Sequence, residues 1–215
     1  MHCRELLMVG KSLCNQLNAM GIFTIGDLAN SSEVSLATRI GKTGVMLRKV
    51  ARGEDDDLVK AYYKRSKPKS IGHSATTEKD LTEKNEVFAA FLEFSEDISQ
   101  KLKKENLLAK TVVISILTNQ FEGKEYRTPL ENPTDISLTI AKTAMALFNK
   151  HQCLEVPLRA VGVRVINLVD NTVVKQLSLF EEVNNIDSVI ENNMLKIRNK
   201  YGKDSLKRAI CINNF

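Results

Sequence analysis

The spacing of apolar positions changes character partway along the chain. Up to residue 53 they recur three and four apart in short runs, each cut by a glycine, which predicts a series of short helices. Leu13, Leu17 and Met20 share one helical face that ends at Gly21, a C-cap position. Residues 22–24 read as a brief apolar turn, and 25–29 as a restarted helix. Ser31 or Ser32 offers the next N-cap. A helix over 34–40 then meets Gly41-Lys42-Thr43-Gly44, and a last one covers 45–51. Residues 54–69 are charged and contain Pro68, which makes them the best boundary between domains.

Beyond that connector the periods lengthen and alternate. Residues 69–77 alternate polar and small side chains, as a strand does. From 83 to 105, Val87, Phe88, Phe91, Leu92, Phe94, Ile98 and Leu102 build one long amphipathic helix. The run TVVISIL at 111–117 is a β-branched strand, 119–124 turns around Gly123, and 125–130 returns as a second strand. Thr134 or Asp135 caps a helix through Ile136, Ile140, Met145 and Phe148, and Pro157 opens a strand over 158–169. The order β-α-β-β-α-β is the split βαβ arrangement of the ferredoxin-like class. Such a sheet buries one face under two helices and leaves the other for a partner. An amphipathic segment over 186–201, with Val189, Ile190, Leu195 and Ile197, predicts a helical tail. The expected fold class is therefore α+β, with a helical domain at 1–66, an α+β domain at 67–172 and a peptide plus helical tail at 173–215.

Composition narrows the classes. With 43% hydrophobic and 27% charged residues in 215, the chain has the makeup of a folded domain rather than a disordered one. No apolar run approaches the roughly 18 residues of a spanning helix, so no membrane partner is expected. The opening MHCRELLMVG has no apolar core with a small-residue cleavage site, and a cytoplasmic address follows by default. The net charge is +5, and residues 1–70 carry all of that excess, with 12 Lys/Arg against 7 Asp/Glu. Basic asymmetry of this kind suits a polyanion such as nucleic acid, and equally a solvated basic face.

The chemistry-bearing residues point to binding rather than catalysis. Cys3, Cys14, Cys153 and Cys211 are scattered, as are His2, His73 and His151, without the short repeated spacings of a zinc site or redox dithiol. Four adjacent acids, Glu54-Asp55-Asp56-Asp57, alternate in direction on an extended chain and read as solvated linker charge. No nucleophile elbow, paired metal histidines or dinucleotide turn occurs, so no catalytic residue and no metal are expected in this chain. The helix-opening glycine turns are more informative. Val9-Gly10-Lys11-Ser12 and Gly41-Lys42-Thr43-Gly44 each set backbone N–H groups at a helix start, where the dipole favours anions. Two such turns can hold phosphates without reading bases. Neither is a nucleotide P-loop, because the glycine that motif needs five residues before its Gly-Lys is missing. Gln176-Leu177-Ser178-Leu179-Phe180, flanked by acids and placed after the last strand, is either a docking peptide or a segment packed on its own domain.

These residues resemble a family. Val9-Gly10-Lys11 together with 17–29 (LNAMGIFTIGDLA) is similar to the thumb of Y-family translesion DNA polymerases of the UmuC/DinB-like group. Gly41-Lys42-Thr43-Gly44 and 51–56 (ARGEDD) resemble the second half of that thumb. Lys69-Ser70-Ile71-Gly72-His73-Ser74 resembles the first strand of the family's little finger, and 158–164 (LRAVGVR) its last. Gln176 to Phe180 resembles the bacterial sliding-clamp-binding pentapeptide. The likeness runs through essentially the whole chain.

The resemblance implies a helix-hairpin-helix thumb in which Val9, Gly10, Lys11, Ser12, Gly41, Lys42 and Gly44 hold duplex phosphates. It implies that Ser70, Ile71, Gly72, His73 and Ser74, with Arg159, Gly162, Val163 and Arg164, line a sheet against the backbone of a primer-template duplex. The sliding clamp (β subunit) would take 176–180. The family's palm, with its catalytic carboxylates, lies upstream of the thumb. The resemblance therefore implies a fragment or truncated product, with Mg2+ and nucleotidyl transfer belonging to a longer parent. The other reading left open by the residues is a non-enzymatic interaction module that recruits partners through 176–180 and the basic tail.

Overall fold

The computed structural model describes residues 1–54, 58–59, 61, 67–151, 154, 156–172 and 186–211. The peptide at 176–180 lies outside them, as do Asp55, Asp56 and Asp57. The chain divides into two compact units, Met1–Arg65 and Ser66–Phe215.

The first unit holds four short helices: α1 (Lys11–Asn18), α2 (Ile25–Asn30), α3 (Glu33–Arg39) and α4 (Lys42–Ala51). Each is too short to be stable alone, so their order comes from a shared core and explicit end chemistry. Leu17, Ile22, Leu28, Leu36 and Leu47 fill that core with Cys3, Val9 and Cys14. Gly21, at φ 77°, ends α1: its N–H reaches Asn18 O (2.9 Å) and that of Ile22 reaches Leu17 O (3.0 Å), the Schellman pattern. Thr24 and Asp27 form a capping box at the start of α2. Backbone and side-chain hydrogen bonds from Thr24, then that from the Phe23 N–H, hold the Asp27 carboxyl below its ordinary value. A 3-10 turn, Cys3–Glu5, precedes α1 and is tied across to Phe23 by the Cys3 N–H (2.9 Å).

The second unit carries β1 (Ser70–Leu81), α5 (Lys84–Lys104), β2 (Leu107–Thr118), β3 (Gly123–Thr134), α6 (Ser137–Lys150), β4 (Leu158–Ile166) and a two-residue β5 (Val169–Asp170). A last helix, α7 (Ile186–Tyr201), follows. The architecture is α+β, with the expected β-α-β-β-α-β order. The strand order is β1-β4-β2-β3, antiparallel at every pairing. β1 and β2 flank β4, and β3 and β4 flank β2, so the split βαβ unit occurs twice. The ferredoxin order, which centres strands one and three, is replaced by one that centres β4 and β2. Composition gives the reason. β3 contains Pro129 and Pro133, which cannot donate to a neighbour on both sides and belong on an edge. β1 is polar along most of its length. β2 and β4 supply Val112, Ile114 and Ile116, and Val161, Val163 and Val165, to the core.

Helices α5 and α6 cover one face of this sheet through Val87, Phe91, Phe94, Ile98, Ile140, Ala144 and Phe148. Phe91 and Phe148 meet edge to face at 5.9 Å between ring centres. The sequence expectation of a Thr134 or Asp135 cap on α6 is corrected. Thr134 Oγ1 does accept the Ile136 N–H (3.1 Å), but the helix begins at Ser137 with Ile136 as N-cap and no side-chain cap of its own. Its first turn is served from α7. Glu191 Oε1 accepts the Leu138 N–H (3.2 Å) and the Ser137 hydroxyl (2.6 Å). Glu191 is 5% exposed, and Lys103 (2.9 Å) and Ser99 (3.3 Å) donate to its other oxygen. Arg198 and Arg208 pair with Glu96, and Lys203 with Asp97, so charged contacts fasten the tail to α5.

Candidate nucleic-acid interface

Strand alternation decides which residues look away from the helices. In β1, Ser70, Gly72, Ser74 and Thr76 face outward, while Ile71, His73 and Ala75 turn toward the helix layer. The register extends this face as two rows across the sheet. Gly72 pairs with Arg164, Arg164 with Val113 and Val113 with Arg127. One step along, Ser74 pairs with Gly162, Gly162 with Ser115 and Ser115 with Glu125. The result is a shallow floor of glycines and hydroxyls, with two guanidinium groups in one row and one carboxylate in the next.

The glycines are required by close approach. A Cβ on Gly162 would lie 2.6 Å from both Ser74 Cβ and Ser115 Oγ, and one on Gly72 would lie 3.0 Å from Arg164 Cβ. Gly162→Ala must therefore push β4 apart from both of its neighbours, β1 and β2. We expect it to cost about 1–3 kcal/mol, the usual penalty of overpacking, read as a lowered midpoint in urea unfolding. An unchanged midpoint would mean that the serines retreat freely.

The sequence-predicted positions divide between the two faces of the sheet. Ile71 and Val163 are core residues and offer no side chain to the open face. His73 also points inward: its ring lies 4.5 Å from that of Phe94 and its Nδ1 is 2.8 Å from Asp97. The alternating pattern could have separated these three from Ser70, Gly72, Ser74 and Gly162. Arg159 is exposed but falls at a register shift in β4, where its guanidinium stands over the Phe121 ring at 5.3 Å. Arg164 is exposed in the open row and pairs with Glu125 (2.8 Å). Thr76, Ser115 and Arg127 belong to the same face and were missed. Their signal was present in the sequence, since Ser115 alternates with Ile114 and Ile116, and Arg127 with Tyr126 and Thr128.

In the first unit, Gly10 and Gly41 are the N-caps of α1 and α4, and neither helix has a side-chain cap bond. Gly41 has φ 81°, a conformation that favours glycine. Lys11, Ser12 and Lys42 are exposed on these first turns, where helical N–H groups lack intrahelical partners. Val9 and Gly44, by contrast, are covered. Val9 is buried, with its N–H given to Leu6 O (3.1 Å). Gly44 is buried inside α4, its N–H bonded to Gly41 O (3.0 Å), and a Cβ there would meet Ile40 at 3.0 Å. Its absent side chain lets α4 pack on the end of α3.

Among the described residues, the donors that come together as a metal-sized group are His2, Cys3 and Cys14. Helix 3.6-periodicity and the turn at Cys3 bring together cysteines that looked scattered along the sequence. No helix among the described residues is long and apolar enough to cross a membrane.

Comparison with known proteins adds an independent line. Residues 68–179 match the impB/mucB/samB family C-terminal domain. The chain is 34% identical over 213 residues to the DNA polymerase IV of Acetivibrio thermocellus, covering 96% of this chain and 52% of that protein. It is 30% identical over 215 residues to DNA polymerase IV 1 of Bacillus subtilis, covering 97% of this chain and 50% of the relative. A putative UV-damage repair protein, UvrX, from the same organism is 31% identical over 205 residues, covering 94% and 49%. The chain thus spans about half the length of the curated relatives it matches.

Proposed function

For a chain that belongs to the impB/mucB/samB family, as the C-terminal region of a Y-family DNA polymerase of DNA repair, we propose the role of a backbone grip on primer-template DNA. The observation that carries this reading is the open sheet face, a floor of Ser70, Gly72, Ser74, Thr76, Gly162 and Ser115 with Arg164 and Arg127 standing in one row. Small hydroxyl and glycine positions let a phosphate chain approach the sheet closely, and the two guanidinium groups supply charge-assisted, bidentate contacts. None of these groups reads a base edge in a fixed pattern, so the grip is independent of sequence. The Glu125 carboxylate on Arg164 exchanges for a phosphate oxygen when DNA arrives.

The glycine-capped starts of α1 and α4 give the first unit, read as a helix-hairpin-helix thumb, the same chemistry. N–H groups of the first turn donate to phosphate oxygens, and Lys11 and Lys42 add charge. Gln176, Leu177, Ser178, Leu179 and Phe180 dock the protein on a sliding clamp, a reading that rests on sequence resemblance, and the protein works in the cytoplasm. In this reading magnesium belongs to the longer parent polymerase; among the described residues the donor group His2, Cys3, Cys14 is soft and unsuited to a hard oxygen-seeking cation.

The test separates grip from docking in one experiment. Lys11→Ala with Lys42→Ala should weaken binding of unrelated duplexes to the same extent, about tenfold together. Leu179→Ala with Phe180→Ala should abolish clamp capture and leave duplex affinity unchanged. Binding that falls for only one DNA sequence, or clamp capture that survives the second pair, contradicts the reading.

A further inference from the structure

We propose that His2, Cys3 and Cys14 form a binding site for a soft divalent cation of the zinc class in the first unit. The fold assembles the site from two fixed pieces. Cys3 opens the 3-10 turn and is held by its N–H to Phe23 O, beside a β-bridge between His2 and Thr24. Cys14 is on the buried face of α1, one turn from its start. Both cysteines are free, and both are buried.

Their spacing matches tetrahedral coordination. With metal–sulfur bonds of about 2.3 Å and metal–nitrogen bonds of about 2.0–2.1 Å, tetrahedral edges are roughly 3.8 Å between sulfurs and 3.6 Å from sulfur to nitrogen. The two Sγ atoms are 3.6 Å apart, and Cys3 Sγ is 3.9 Å from His2 Nδ1. All three donor atoms lie within 4.8 Å of one another. Asn18 Oδ1 accepts from the Cys3 thiol at 3.8 Å, which adds an oxygen beside the group. The exposed imidazole gives the ion a way in to two sulfurs that are otherwise covered.

Burial, and then the neighbouring Cys14 thiol, push the Cys3 thiol above its ordinary value. Uptake replaces the two S–H protons, which pass to solvent, by two metal–sulfur bonds, and the His2 Nδ1 lone pair, giving up the hydrogen bond it accepts from the Arg4 N–H (3.2 Å), completes the third. Nothing is oxidised. In place of the ion, a disulfide would need a two-electron oxidant and closure of the sulfurs to about 2.05 Å. It would also leave the converging histidine unused. The bound ion would clip Cys3 to Cys14 across the segment that contains Gly10, Lys11 and Ser12, bracing the start of α1.

Titration of the reduced, metal-stripped full chain with Co2+, followed by displacement with Zn2+, tests the site. One Co2+ per chain is expected, with a thiolate-to-cobalt charge-transfer band in the near ultraviolet and tetrahedral visible bands. Cys14→Ser should remove the charge-transfer intensity. Because that core substitution can unfold the unit, the exposed His2→Gln provides the second variant, expected to fold normally by circular dichroism and to bind about tenfold more weakly or worse. The proposal is overturned if the wild-type chain shows no charge-transfer band at equimolar cobalt, or if His2→Gln binds as tightly as wild type. It also fails if the pair loses two hydrogens to a disulfide in air while the reduced chain takes up no metal. DNA binding is not a readout, so the outcome is independent of the proposed grip.

Discussion

Glu191→Ala is expected to cost the second unit about 3 kcal/mol, because removal leaves a largely covered Lys103, the Ser137 hydroxyl and the Leu138 N–H without this acceptor. The carboxylate is nearly inaccessible, and Ser99, Lys103, Ser137 and the Leu138 N–H all donate to it. It also substitutes for the missing side-chain cap of α6. The same side chain therefore serves three elements, α5, α6 and α7. Urea unfolding should show the loss, and hydrogen exchange should show α7 opening ahead of the sheet. Glu191→Gln, which keeps the shape and an acceptor, should lose less. Equal stability of the alanine variant would mean that the tail does not depend on this carboxylate.

Arg127→Glu with Arg164→Glu is expected to reduce affinity for primed duplex by about two orders of magnitude, since charge-assisted hydrogen bonds each contribute about 1.5–3 kcal/mol. Both side chains stand in the row that runs from Gly72 across β4, β2 and β3. Reversal at 164 also sets a second carboxylate beside Glu125, so the Arg127→Gln, Arg164→Gln pair provides the control for strand pairing. The neutral pair should bind at an intermediate level with an unchanged unfolding midpoint. If the reversed pair binds as wild type while remaining folded, the open face is not the DNA surface.

Much of the fold could be read from the residues. The long helix α5 follows from Val87, Phe91, Phe94, Ile98 and Leu102, and the strand β2 from its β-branched run. Strand order could not be taken from element order, although Pro129 and Pro133 mark β3 as an edge. The face of each residue was legible by alternation, yet motif resemblance placed Ile71, His73 and Val163 with their outward neighbours. Motifs run contiguously, whereas a strand presents every second residue. Val9 and Gly44 are covered for a related reason: a helix-start motif includes residues that fix the turn by burial. Glu191 had no local signal, because its partners come from α5 and α6, far away in sequence. The convergence of Cys3 and Cys14 was hidden because the geometry of the 3-10 turn and of α1, not short spacing, brings them together.

The central claim is that this chain holds DNA through phosphates. Its most direct test is the affinity of the full chain for a primer-template duplex, measured by fluorescence anisotropy across a salt series from about 50 to 200 mM. Phosphate contacts release counterions, with a slope of about −0.9 per phosphate on logarithmic axes. A steep linear fall that becomes shallower in the Arg127→Glu, Arg164→Glu variant is the predicted result. An affinity that stays flat across the series, or a slope identical in the two proteins, would contradict it.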